Sequence, residues 1–161
     1  MKLLAVDPGS QTVGLYAPEF VRTLDLMQGE KKVERPERLS RLMVQFAEAL
    51  IDAGPVDFVV YEEQFVRGGA TTKALFGAVG VIEAVASLQF AGIVSVPQAS
   101  LRKWAWGTLM KAGKAKDTMG DKQVYKAVAS LYTDTSGFDE HQCDACCVYH
   151  FTMENQYAEK A

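Results

Sequence analysis

Four residues from three distant parts of this chain are of types that hold divalent cations: Asp7, Glu62, His141 and Asp144. Asp7 closes the apolar run Leu3-Leu4-Ala5-Val6 and opens the turn Asp7-Pro8-Gly9-Ser10. Glu62, followed by Glu63, closes a second run, Phe58-Val59-Val60-Tyr61. Asp144 stands among Ala145, Cys146, Cys147 and Val148, where an uncompensated carboxylate is costly. His141 precedes it by three residues, the spacing that shares a helical face. Acids that end buried strands lie where sheet proteins place their ligands. Mg²⁺ favours a few carboxylates together with water and phosphate oxygens. Two such ions about 3.5–4 Å apart activate a water and stabilise the leaving oxygen in phosphodiester hydrolysis. That is the chemistry these residue types suggest, with Mn²⁺ as the substitute ion a neutral imidazole at His141 would favour.

Each residue also has a plainer reading. Asp7 ahead of Pro-Gly is a good Asx-turn, and an acid ending a strand can simply face solvent. His141, Cys143, Cys146, Cys147 and His150 resemble a zinc set. All of them lie on one helix, however, whereas a zinc site draws on separated pairs. The cysteines read better as small core residues.

The elements that must position the acids can be read from periodicity. Residues 2–7, 13–16 and 20–26 have strand character, the last alternating apolar and polar, and they form an antiparallel meander. From Arg35 to Asp52 the period is helical, with Leu39, Leu42, Met43, Phe46, Ala49 and Leu50 on one face and Gly54-Pro55 as the stop. Residues 56–61 form a continuously apolar strand, as expected for one buried on both faces. A long apolar helix over 72–90 carries Gly77, Ala78, Gly80 and Ala84, small residues suited to close packing. Residues 93–96 form a further short strand, 111–120 a loop, 121–132 a helix, and 140–157 a helix with a small-residue inner face. The order β-β-β-α-β-α-β-α-α predicts an α/β fold: a mixed five-stranded sheet with helices on both faces. One domain spans 1–161.

Bulk properties agree. With 48% apolar and 23% charged residues the chain has a soluble globular composition, and no stretch approaches the ~18–20 apolar residues of a membrane span. The first residues reach Asp7 too soon to supply a secretory core. Three cysteines within five positions point to a reducing cytoplasm. Net charge is −3, yet residues 102–126 hold seven basic side chains against two acidic ones, a local +5. Arg102, Lys103, Lys111, Lys114, Lys116, Lys122 and Lys126, interleaved with Trp104 and Trp106, make a candidate phosphate-contacting patch.

Taken in order, the motifs resemble those of RuvC-type Holliday junction resolvases, within the ribonuclease H-like superfamily. Asp7-Pro8-Gly9 through Gly14 resembles the opening D-P-G-x-x-x-x-G, Glu37-Arg38-Leu39 the E-R-L helix start, and Glu62-Glu63-Gln64-Phe65 the E-E-x-F strand end. Asp121-Lys122 resembles the basic element, and His141-Gln142-Cys143-Asp144-Ala145 the terminal D/H-x-x-D-A. The Gly77-to-Gly80 spacing and the divergent tail look more like a phage-encoded member. The resemblance implies a metal-binding tetrad of Asp7, Glu62, His141 and Asp144, with Glu62 rather than Glu63 as ligand. Asp139 and Glu140 stand close enough to replace His141. Lys122, and Arg102 or Lys103, match basic residues near the scissile phosphate, and Phe65 an aromatic wedge against junction bases. It further implies a homodimer, with helix 72–90 as its candidate interface, acting on four-way junctions with two Mg²⁺ ions and no small-molecule cofactor. Two other readings remain: a silent branched-DNA-binding protein on the same fold, and an ATPase half built on Asp-x-Gly.

Overall fold

In the computed structural model, which describes residues 1–63 and 70–155, alternation along five strands sorts the side chains onto two faces. The strands are β1 (Leu3–Asp7), β2 (Thr12–Ala17), β3 (Phe20–Asp25), β4 (Phe58–Glu62) and β5 (Gly92–Val96). They form one sheet in the order β3-β2-β1-β4-β5. β1 pairs antiparallel with β2 and parallel with β4, while β4 pairs parallel with β5. The expected meander and mixed sheet are both present. β4 starts and ends slightly later than expected, so Glu62 is its last residue.

The helices are α1 (Arg35–Ala53), α2 (Ala70–Leu88), α3 (Gln98–Lys111), α4 (Asp121–Tyr132) and α5 (Glu140–Asn155). α1 and α2 cover one face, where Leu4, Val6, Val59 and Tyr61 meet Leu42, Phe46 and Ile82. α3, α4 and α5 cover the other, where Leu3, Ala5, Val60 and Val96 meet Leu101, Tyr125, Cys146 and Phe151. On α1 the inward stripe is Leu42, Phe46, Ala49, Leu50 and Ala53, while Met43 is 52% exposed.

α3 is the element that periodicity does not reveal. Its buried residues, Leu101, Ala105 and Leu109, recur every fourth position, but Gly107, two tryptophans and three basic residues interrupt any apolar stripe. The tryptophans serve the framework. Trp104 stacks on Tyr132 (6.1 Å between centroids), meets Phe151 edge-on and donates from Nε1 to Glu154 at 2.7 Å. Trp106 packs on the same core. No helix among the described residues is long and apolar enough to cross a membrane.

Candidate active site

The two-residue period of the strands decides where the acids point. On β1, Leu3 and Ala5 face the α3–α5 side, so Asp7 does too. On β4, Val60 faces that side, and Glu62 follows it. The parallel register pairs Val6 with Tyr61, so one step further on Asp7 and Glu62 stand side by side at adjacent strand ends. Glu62 is turned inward and is only 9% exposed. Glu63 is exposed and accepts a hydrogen bond from Ser95 Oγ at 3.1 Å.

α5 reaches this edge because β2 gives way. Gly14 is the register partner of Asp7, and a Cβ there would lie 2.2 Å from the His141 carbonyl oxygen. The helix backbone therefore rests directly on the strand, which brings His141 onto Asp7. His141 Nδ1–H donates to Asp7 Oδ2 at 2.7 Å, and its Nε2 is hydrogen-bonded to Thr12 Oγ1 at 2.6 Å. The ring is thus held from both sides, and Asp7 raises its affinity for a proton. Thr12, at the start of β2, was not among the residues singled out by motif. Its role depends on a contact across the whole fold.

Asp144 lies one turn further along α5. No hydrogen bond or ion pair among the described residues engages its carboxyl. Burial, followed by the charges of Asp7 and Glu62, pushes it up to about 8, with His141 pulling the other way. Glu62 is also raised, first by burial and then by Asp7, against a hydrogen bond from Gln98 at the start of α3. Buried acids that feel the negative charge of Asp7 favour a nearby cation. Asp139 and Glu140 are otherwise occupied. Asp139 caps α5, accepting from Gln142 N–H at 2.9 Å while Gln142 Oε1 accepts from Asp139 N–H at 3.0 Å. Thr23 Oγ1 also donates to Asp139. Glu140 is paired with Lys122 at 2.5 Å.

The basic residues divide. Lys122, at the start of α4, is exposed and feels Asp144 and Asp7 in addition to Glu140. Arg102 is bound to Asp121 at 2.6 Å, and its charge acts on Glu62. Lys103 is exposed and lines a different groove, with Trp104, Lys111 and Glu154. Lys114 and Lys116 are exposed on the loop joining α3 to α4. Phe65 lies outside the described residues.

Oxygen-rich donors at adjacent strand ends suit a hard divalent ion in kind and in charge. As they stand, no three His, Cys, Asp or Glu side chains among the described residues close on one point. The cysteines are core. Cys143, Cys146 and Cys147 are buried, and burial drives the Cys146 thiol up to about 12.

Comparison with solved structures gives the same architecture. RuvC of T. thermophilus in complex with Holliday junction substrate superposes with a TM-score of 0.71 at 15% identity, covering 99% of this chain and 96% of that one. The chain has the RuvC fold. A second Thermus thermophilus RuvC structure gives 0.70 at 16% identity, covering 98% of each chain. The yeast mitochondrial Holliday junction resolvase Ydc2 gives 0.61 at 12%, covering 99% of this chain and 82% of that one. No family model matches the sequence, and no curated protein matches it. The RuvC fold is therefore carried here by a sequence far from those of its structural neighbours.

Proposed function

We propose that the chain is a metal-dependent, structure-selective DNA endonuclease that resolves four-way junctions. What supports this reading is a RuvC-type fold with Asp7 and Glu62 at adjacent strand ends and a buried Asp144 that feels the charge of both. A solved neighbour of the same fold holds a Holliday junction. Two divalent cations, Mg²⁺ or Mn²⁺, would supply activation of the attacking water and neutralisation of the leaving oxygen.

The rest falls to this chain's own side chains. Asp7, Glu62 and Asp144 hold the cations, and His141 fixes the Asp7 carboxylate or shares its ligand role. Gln98 orients Glu62. Lys122 and Arg102 bring positive charge to the phosphate, and Lys103, Lys114 and Lys116 extend contact with the backbone of the arms. Attack of water on phosphorus with loss of the 3′-oxygen leaves 5′-phosphate and 3′-hydroxyl ends. The reading also includes a two-fold dimer, because a junction presents two equivalent strands. Phe76, Gly80, Ala84 and Leu88 face outward on α2, with Val44 and Ile51 exposed on α1. Gly77 instead packs inward, where a Cβ would meet Arg35 at 2.8 Å.

The test is labelled four-way, forked and linear DNA in Mg²⁺, Mn²⁺ or EDTA. Symmetric incision of the four-way junction that requires the cation is expected. Junction binding that survives EDTA with no incision in either metal would sink the nuclease reading and leave a silent binding protein.

A further inference from the structure

Tyr125 lies on the inward face of α4 and is 6% exposed. Its hydroxyl is the one buried side-chain polar atom among the described residues without a hydrogen-bond partner. Such an atom is costly to leave unmade, and its position suggests why it is kept. The Tyr125 carbonyl accepts from Cys147 Sγ at 3.2 Å, and Cys147 is one turn along α5 from Asp144. The ring shares its core cluster with Val96, the register partner of Glu62. Tyr125 thus packs in the core layer between α3–α5 and the sheet, the side that Asp7 and Glu62 face, on the α4 turn that follows Asp121 and Lys122. After burial, the influence acting most strongly on the phenol is Glu62, with Asp144 also contributing.

We propose that Tyr125 is a positioning residue of the acidic site, its hydroxyl donating to the Glu62 carboxylate in the cation-loaded protein and holding the oxygen turned away from the cation. The inference rests on the two-cation reading above. Gln98 reaches Glu62 from α3, and Tyr125 reaches it from α4. The side chain that ends β4 is then held between two helices. Metal ligands are commonly oriented by such outer hydrogen bonds.

The experiment compares Tyr125→Phe with the parent, as full chains, in three measurements. The metal-free melting temperature should be equal or higher, because the variant removes an unpaired buried hydroxyl and keeps the ring. Mn²⁺ affinity, read by calorimetry without DNA, should weaken by roughly 10-fold, the worth of a hydrogen bond to a charged acceptor. The kcat for four-way junctions at saturating Mn²⁺ should fall by about as much, with KM unchanged. Mn²⁺ affinity within two-fold of the parent overturns the proposal and leaves the hydroxyl as a packing atom. A lowered metal-free melting temperature overturns it too, because the hydroxyl would then serve the fold itself. If the parent neither binds Mn²⁺ nor cuts, the two-cation reading fails first, a result distinct from either.

Discussion

The two faces of the sheet are packed from different materials. Against α1 and α2 the core is Leu, Val, Ile, Ala and Phe, and its one phenol, Tyr61, is satisfied by Glu83 at 2.5 Å. Against α3, α4 and α5 it contains three thiols and the phenols of Tyr16 and Tyr125, and its rim holds the acids. Small, polarisable side chains let α5 sit close on the sheet, and closeness is what brings His141 onto Asp7. The aliphatic face offsets what the buried acids cost. The comparison teaches that stability and chemistry are assigned to opposite sides of β1, whose alternate residues serve both.

Substitutions on the two sides should therefore fail in different ways. Asp7→Asn should reduce junction cleavage by about 10³-fold or more, since several kcal/mol of charge stabilisation is at stake, while its melting temperature stays near the parent's. Phe46→Ala, on the opposite face and fully buried, should cost about 3–5 kcal/mol. Its melting temperature should fall by roughly 10 °C, with cleavage per folded molecule unchanged. Activity lost in step with folding would blur the division, and calorimetry paired with a cleavage assay reads both.

Gly14→Ala joins the two kinds of damage. The added Cβ forces α5 outward, costing about 1–3 kcal/mol as overpacking. A displacement of about 1 Å at the site should cost up to roughly 10²-fold in kcat.

Asp144→Asn should do the opposite to stability. Because the folded carboxyl is raised from 3.8 to about 8, its protonated form is favoured by folding. In the metal-free protein this contribution to stability is full below about pH 4 and is lost as pH rises toward about 8. His141, raised by Asp7, loses its contribution in the same direction. The variant should melt about 3 °C higher than the metal-free parent at pH 8, with a flatter pH profile, and should not cleave. Thr12→Val should have the smallest effect, about 5-fold in kcat for one net hydrogen bond. Loss of the Nε2 contact can be read independently from the His141 ring nitrogen shifts by NMR.

Much of this was legible in the sequence. The meander, α1, β4 and the strand-end acids follow from periodicity and from charge placed where an apolar run stops. α3 was not legible, because three inward residues among Trp, Lys and Gly leave no stripe to read. The packing role of Trp104 was hidden for a related reason: its partner Tyr132 becomes adjacent only after folding. Asp139 is an alternative to His141 by sequence, and the Asp-x-x-Gln spacing also signals the cap that it makes on α5. Thr12, Gln98 and Tyr125 gave no local sign, since each acts on a residue belonging to another element.

The missing side chain at Gly14 also has a consequence in time. β1, β2 and β4 are synthesised, and can pair, well before α5 exists. Until α5 settles onto Gly14, Asp7 lacks His141 and the edge lacks Asp144. On the nuclease reading, a nascent or partly folded chain with its sheet already formed would therefore lack part of its acidic site. That site would be complete only once α5 has docked, and proteolysis that removes α5 should undo it.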